Sequence, residues 1–457
     1  MPNHSVVNPS TEEVLATLEL APADEVDRIV AGAERAFPGW AAVNTQDRSR
    51  LLRGFADTVA AHTDELAELE ASNVGKPIDG ARWEAGAVAD VLHYYAGAVD
   101  KHTGTTLPWG DGLAMTLHEP LGVVGLITPW NFPMLIASWK LGPALACGNT
   151  VVLKPSVLTP LTSLRLAELA LEAGIPDGVF NVVVGDSATA GQRLLDHPAV
   201  AKIGFTGSTA VGKHIMRCAA DTLKRVTLEL GGKSANIVFA DADLEAAAAG
   251  VPGSAFDNAG QDCCARSRIL VERSVHDRFV ALVAGVAAGV RVGRPHDPDV
   301  FMGPLISAAH RSTVASFEGD GSADEGTVAF RGDVPDGPGF WYPPTIVTGA
   351  SEQSRVANDE IFGPVVTVLP FDDETDAARL ANATPYGLSG SIWTRDGARA
   401  LRMVRAIQSG TLSVNSNSSV RYSTPFGGFK QSGIGRDLSM QALDHYSETK
   451  TVYTVVQ

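Results

Sequence analysis

The sequence predicts an α/β protein with two doubly wound units and a small β element. Three observations carry this. Short apolar runs (GVVGLI, TVVLKP, FNVVVG, KIGFTG) alternate with helical patterns from Val123 onward. The same texture resumes after Gly231 with SANIVF, SRILV and a strand near 365–371. Strands separated by helices need parallel pairing, which buries both faces of a sheet. The third observation is length: 457 residues, 45% of them apolar, exceed what one core holds.

In chain order, ADEVDRIVAGAERAF places Val26, Ile29, Val30 and Ala33 on one helical face, with Asp24 as N-cap. A second helix is expected through RSRLLRGFADTVAAHTDELAEL, with Leu51, Leu52, Phe55 and Val59 inward. TLPWGDGLAMTLHEPLGVVG reads as a hairpin turning at Trp109-Gly110-Asp111-Gly112. The apolar stretch Gly122–Leu153 is interrupted by Pro129, Pro133 and Lys140. A membrane-spanning helix needs about 20 unbroken apolar residues, so this stretch is expected to be buried core. HDRFVALVAGVAAGV is a further helix, and 318–340, rich in Gly and Asp, is expected to be exposed loop and turn. KTVYTVVQ alternates like an edge strand, which leaves backbone groups unpaired unless another chain covers them.

The net charge of −16 and the absence of a Lys/Arg run argue against nucleic acid as a partner. The polar start MPNHSVVNPSTEE lacks the apolar core of a secretory signal, and no membrane association is expected. Cys147, Cys218, Cys263 and Cys264 are too few for a disulfide scaffold, and no spacing suggests a metal site. A reducing, cytoplasmic setting is expected.

The chemistry lies in TPWNFP (128–133), VLKPS (152–156), GFTGSTAVGK (204–213), LELGGKSA (228–235), FDNAGQDCCARSR (256–268), EIFGPV (360–365) and PFGGFKQSGIGRD (425–437). IGFTG leading into STAVGKHIMRCAA is a strand–Gly–helix passage. There Gly207 lets the backbone approach a phosphate, and Ser208 with the helix N-terminus can donate to it. Together, in this order and spacing, these stretches resemble the aldehyde dehydrogenase superfamily over nearly the whole chain.

The resemblance implies a Rossmann-like cofactor domain from 1–101 and 121–231, a catalytic domain at 232–431, and oligomerisation elements at 102–120 and 432–457. It implies a homodimer or homotetramer. It makes Cys263 the nucleophile, since the family signature runs Gly-Gln-any-Cys. Cys264 then reads as a small buried apolar residue, or as a partner in reversible oxidation. Asn131 and the Cys263 N–H are the implied oxyanion donors, and Glu229 the base that activates water. The implied cofactor is NAD or NADP, held by Thr128, Trp130, Lys154, Ser156, Phe205, Gly207, Ser208, Leu230, Glu360 and Phe362. NAD-preferring members carry Glu three residues after the lysine, where this chain has Val157, so either nicotinamide remains open.

By position, Phe132, Ile136, Trp139, Asp262, Val420 and Phe426 are expected to line the substrate tunnel, with Arg421 at its mouth. Asp262, directly before the nucleophile, favours a cationic substrate. It resembles the branch acting on 4-aminobutyraldehyde or its γ-glutamyl derivative. Arg421 would favour an acidic aldehyde such as succinate semialdehyde, and a broad-range aldehyde oxidiser is the alternative. Coenzyme A-acylating relatives generally lack the base at 229. A cysteine hydrolase would need a histidine, and none of the 11 is expected in or beside the motifs. A non-catalytic member would have lost Cys263, Glu229 or Asn131.

Overall fold

The computed structural model describes residues 3–317 and 323–455. A six-stranded sheet is assembled around Val123–Ile127, which pairs in parallel with Thr150–Lys154 on one side and Val200–Thr206 on the other. Phe180–Val182 extends the first side, and Arg225–Glu229 the second. Both faces of this sheet are covered, which is why its central strands read as unbroken apolar runs. On one face lies Ala23–Ala41, packing Val26, Val30 and Ala33. On the opposite face, against Val124, Leu126, Val151 and Leu153, lies Pro133–Ala146, a helix buried along its whole length that opens on proline.

A seven-stranded sheet forms the second unit. Ala235–Val238 lies parallel between Arg268–Glu272 and Ser389–Trp393; Val365–Phe371, Thr345–Thr348 and Thr411–Val414 extend it in parallel. The two α/β units expected from the strand–helix alternation are therefore present. Their cores interlock at one point: Cys264, Leu388 and Phe426 pack into the core built around Pro133–Ala146. The cysteine loop is thus wedged between the two sheets.

The hairpin forms as read, with Thr106–Trp109 antiparallel to Gly112–Pro120 and Trp109 opposite Gly112. The last described strand, Ser447–Val455, pairs with Gly112–Pro120 of the same chain and stays an edge, as its alternation suggests. Residues 456–457 of that reading lie outside the described residues.

Several expectations need correction. The polar N-terminus is a two-stranded hairpin, Asn3–Val7 with Val14–Glu19. The first helix begins at Ala23, so Asp24 sits in its first turn and Pro22 takes the cap position. The second helix is two, Thr45–Ala61 and Thr63–Val74, because His62 leaves helical geometry (φ −109, ψ 21) between them. Within 318–340, Thr327–Arg331 is an antiparallel edge strand, its β-branched and aromatic residues bounded by Gly326 and Gly332; residues 318–322 lie outside the described residues. The tail after 432 is not one element. Gly433–Ile434 joins the six-stranded sheet beside Glu229, and only the final strand joins the hairpin. Among the described residues no helix is long and apolar enough to cross a membrane.

Candidate active site

The segment before the cysteines turns through three consecutive left-handed residues, Asn258 (φ 48), Ala259 (φ 58) and Gly260 (φ 68). Such a run is costly unless surrounding bonds impose it. Here they do. The Asn258 side-chain amide donates to the Asn131 carbonyl (2.9 Å) and to the Gln261 carbonyl (3.3 Å). Gln261 donates to the Asn258 carbonyl and accepts from the Ile306 N–H (2.8 Å). A Cβ on Gly260 would lie 2.3 Å from the Gly363 carbonyl oxygen, so only glycine fits. The Gly-Gln of the signature is therefore a device that fixes the loop entering Cys263.

Asn131 is buried, and its side-chain amide donates to the Gln261 carbonyl (2.9 Å). That bond fixes the amide plane and leaves its second N–H available. The Cys263 N–H makes no hydrogen bond among the described residues. Asn131 and Cys263 line one cleft of about 240 Å³ together with Trp130, Gly207, Ser208, Leu230, Glu360 and Phe362, all expected from sequence. Pro129, Thr206 and Gly231 complete its wall and were not expected.

Glu229 ends the strand Arg225–Glu229 and is buried; its Oε2 has no hydrogen-bond partner among the described residues. A Cβ on Gly427 would lie 2.6 Å from its Oε1, so PFGG gives this carboxylate room. Burial, then the nearby Asp437 carboxylate, raises its pKa well above the usual range, opposed by Lys140 and Arg436. The Cys263 thiol is also held well above its ordinary value. Its contact with the Cys264 thiol comes first among the causes, then burial, then the negative fields of Cys264, Asp262 and Glu229. The Asp262 carboxylate and both sulfurs lie within 4.8 Å of one another. The negative charges around Cys263 outweigh the favourable Arg266 guanidinium and oppose its ionisation, so the thiolate needs a base or an incoming positive charge.

The remaining expected residues are placed around this cleft. Thr128 is buried behind it, as is Phe205, whose ring would meet a Cβ on Gly207 at 2.5 Å. Lys154 donates to the carbonyls of Pro155 and Gly185 (both 3.1 Å), and burial pushes its pKa down to about 8 against the pull of Asp186. The Ser156 hydroxyl accepts from the Leu158 N–H (3.3 Å). Ser208 caps the helix Thr209–Ala220 through the Val211 N–H. Glu360 accepts from the Gly232 N–H (2.9 Å); burial raises its pKa to about 7 despite that bond and Lys233.

These residues suit a nicotinamide dinucleotide. The hydroxyls of Thr128 and Thr206 are buried without hydrogen-bond partners among the described residues, and a Cβ on Gly231 would strike the Glu360 Oε2 at 2.1 Å. The cleft thus holds unsatisfied polar atoms beside a capped helix N-terminus.

Contrary to expectation, a histidine stands beside the motifs. His310, on the helix Ala308–Ala315, donates from Nε2 to the Phe362 carbonyl (2.7 Å). Its ring meets Trp130 edge-on (5.2 Å), and Trp130 meets Phe362 at 90° (5.3 Å). Burial lowers its pKa, which favours the neutral ring that donates here. Phe362 itself has φ 58, so this bond steadies a strained residue on the cleft wall. Sequence adjacency carried no signal for it. Lys140 did leave one, as the lone charge in a fully buried helix. It pairs with Asp437 (2.5 Å) behind Glu229.

The substrate side differs from expectation. Trp139 and Val420 line a separate cleft of about 440 Å³ with Arg421. Phe426 and Ile136 are core residues, and Phe426 backs Trp139 edge-on (5.4 Å) instead of facing that cleft. Phe132 is partly buried, with the Lys76 ammonium 4.0 Å from its ring centre. Asp262 accepts the Cys264 N–H (2.9 Å), which engages the carboxylate expected to meet a cationic substrate. Cys264 is buried, in keeping with a packing role.

The profile of the Aldehyde dehydrogenase family matches residues 2–452. An aldehyde dehydrogenase of Emericella nidulans is 43% identical, covering 98% of this chain and 91% of its own. The betaine aldehyde dehydrogenase of Bacillus subtilis is 40% identical over 98% and 93%. The NAD+ complex of a Bacillus cereus aldehyde dehydrogenase superposes with a TM-score of 0.97 at 41% identity, covering 100% of this chain and 94% of that one. The chain belongs to the aldehyde dehydrogenase family and is an NAD(P)-dependent oxidoreductase.

Proposed function

We propose that the chain oxidises an aldehyde to its carboxylic acid through an acyl group on Cys263 that Glu229-activated water removes. One observation supports this: Asn131 and Cys263 line one cleft, the Cys263 N–H and the Glu229 Oε2 have no hydrogen-bond partner among the described residues, and the Glu229 charge acts on the Cys263 sulfur.

The Cys263 sulfur adds to the aldehyde carbon, giving up its proton. The oxygen that becomes negative meets the second Asn131 N–H and the Cys263 N–H. Losing one such donor typically costs about 10²–10³ in rate. The adduct collapses to the Cys263 thioester by losing hydride; the acceptor would be a nicotinamide, which Glu360 and the Trp130–Phe362–His310 group would hold. Glu229 then takes a proton from water as the thioester is cleaved, and the acid leaves. Its raised pKa makes the base form scarce at low pH, so the acyl-enzyme step accelerates as pH rises.

Within this reading the substrate class is aminoaldehydes, 4-aminobutyraldehyde or its γ-glutamyl derivative. The name of the B. subtilis relative, betaine aldehyde dehydrogenase, supports a cationic substrate. Asp262 does so less, being bonded to the backbone. Arg421, exposed at the 440 Å³ cleft, is the observation favouring a succinate-semialdehyde type instead. The four free cysteines suit a cytoplasmic setting. A homodimer or homotetramer is supported by Leu107, Trp109, Leu117 and Tyr453, all exposed on the three-stranded sheet.

The test is Glu229→Gln mixed with aldehyde and NAD(P)+. A single-turnover burst of reduced cofactor, with the acyl mass on the peptide holding Cys263, is expected. Continued turnover by Cys263→Ala would remove the reading.

A further inference from the structure

Leu135 and Trp139 belong to the apolar core against which Cys263 packs, and both also line the 440 Å³ cleft. Trp83 and Tyr422 form its exposed aromatic walls, at 67% and 45% exposure. Three charged side chains reach it: Arg82, Asp90 and Arg421. Arg82 is already committed, to Asp64 (3.0 Å) and Asp79 (3.1 Å). Asp90 and Arg421 make no side-chain hydrogen bond or ion pair among the described residues, although many surface charges of this chain are paired. The cleft thus holds one free anion and one free cation beside aromatic walls.

Resting on the reading of Cys263 as nucleophile, we infer that this cleft receives the far end of the substrate, and that this end carries both a carboxylate, held by Arg421, and an ammonium, held by Asp90. The class is an amino-acid-like head group joined to the aldehyde by an apolar linker along Trp139 and Leu135. A purely cationic aldehyde meets Asp90 but is opposed by Arg421, and a purely anionic one meets the reverse. Only the zwitterion satisfies both. Asp262, bonded to the Cys264 N–H, is not needed for charge recognition. Of the two aminoaldehydes considered above, the γ-glutamyl derivative has this head group and 4-aminobutyraldehyde does not.

The test compares three length-matched aldehydes, γ-glutamyl-4-aminobutyraldehyde, its α-carboxamide and its α-N-acetyl form, with the shorter hexanal, which lacks any head group, as the neutral control. Wild type is expected to have the highest kcat/KM for the zwitterion. Arg421→Gln should raise KM for it by roughly two- to fivefold, the range for an exposed charge contact, and erase its advantage over the carboxamide. Asp90→Asn should erase its advantage over the N-acetyl form. kcat and the kinetics of hexanal should stay unchanged in both. If both advantages persist in the variants, or wild type shows none, the head-group assignment is overturned while hexanal oxidation leaves the dehydrogenase reading intact. If wild type oxidises no aldehyde with either nicotinamide, the underlying reading fails with it.

Discussion

The 240 Å³ cleft lined by Cys263 and the 440 Å³ cleft lined by Trp139 are built by opposite means. The smaller is shaped by backbone: left-handed turns, glycines against carboxylates, a capped helix, and amides aimed by second amides. The larger is shaped by side chains from distant segments, with Trp83 and Asp90 on one helix, Trp139 on another, and Arg421 in a loop. The difference teaches where chemistry and selectivity reside. Backbone geometry tolerates little substitution, so the reaction is fixed; side chains at a rim can be exchanged without disturbing the fold, so the choice of aldehyde is free to vary.

That contrast can be broken from either side. Cys263→Ala should lower kcat/KM by on the order of 10⁴-fold or more for every aldehyde, charged or neutral. Asn131→Ala should cost about 10²–10³ in kcat, with cofactor affinity, measured by tryptophan quenching, unchanged. A substrate-dependent loss in either variant would mean that the two clefts are not separable. Cofactor affinity should weaken as pH falls through about 7, because Glu360 gains its proton there. Glu360→Gln should flatten that dependence. His310→Leu removes the donor to a strained carbonyl and should cost about 1–3 kcal/mol of stability, with a several-fold loss in NAD(P)+ affinity by titration. His310→Gln keeps a donor and should recover most of it. The smallest effect is expected for Asp262→Asn, whose side-chain oxygen can still accept the Cys264 N–H. Its KM for aminoaldehydes should move less than about threefold, and a larger, charge-selective change would return selectivity to the nucleophile's own loop.

The same contrast explains what the sequence disclosed. Strands of the two parallel sheets were legible because both faces are buried, so their residues are apolar without interruption. Asn131, Cys263 and Glu360 were named through the resemblance their motifs carry, and these three do line one cleft. His310 was not: it reaches Phe362 from a helix whose own pattern is unremarkable, and only tertiary packing brings the rings together. The orientation of Phe426 was not legible for a related reason. Its place beside the tunnel motifs says nothing about whether the ring faces the opening or the core; it packs edge-on against Trp139, itself buried at the floor of the larger cleft. The N-terminal hairpin escaped notice because its strands are short and half exposed, with weak alternation. Asp90 sits among helix residues with no sign that it borders a cavity.

The short pairing of Gly433–Ile434 with Leu228–Glu229 has an implication for biosynthesis. The strand that ends in Glu229 emerges early, yet its neighbour leaves the ribosome only some two hundred residues later. A nascent chain therefore cannot finish the wall behind this carboxylate until residues 433–434 have been made. Polypeptides cut between residues 365 and 433 should keep the Ile306 and Gly363 contacts of the cysteine loop yet lack this wall, and are expected to fail to turn over.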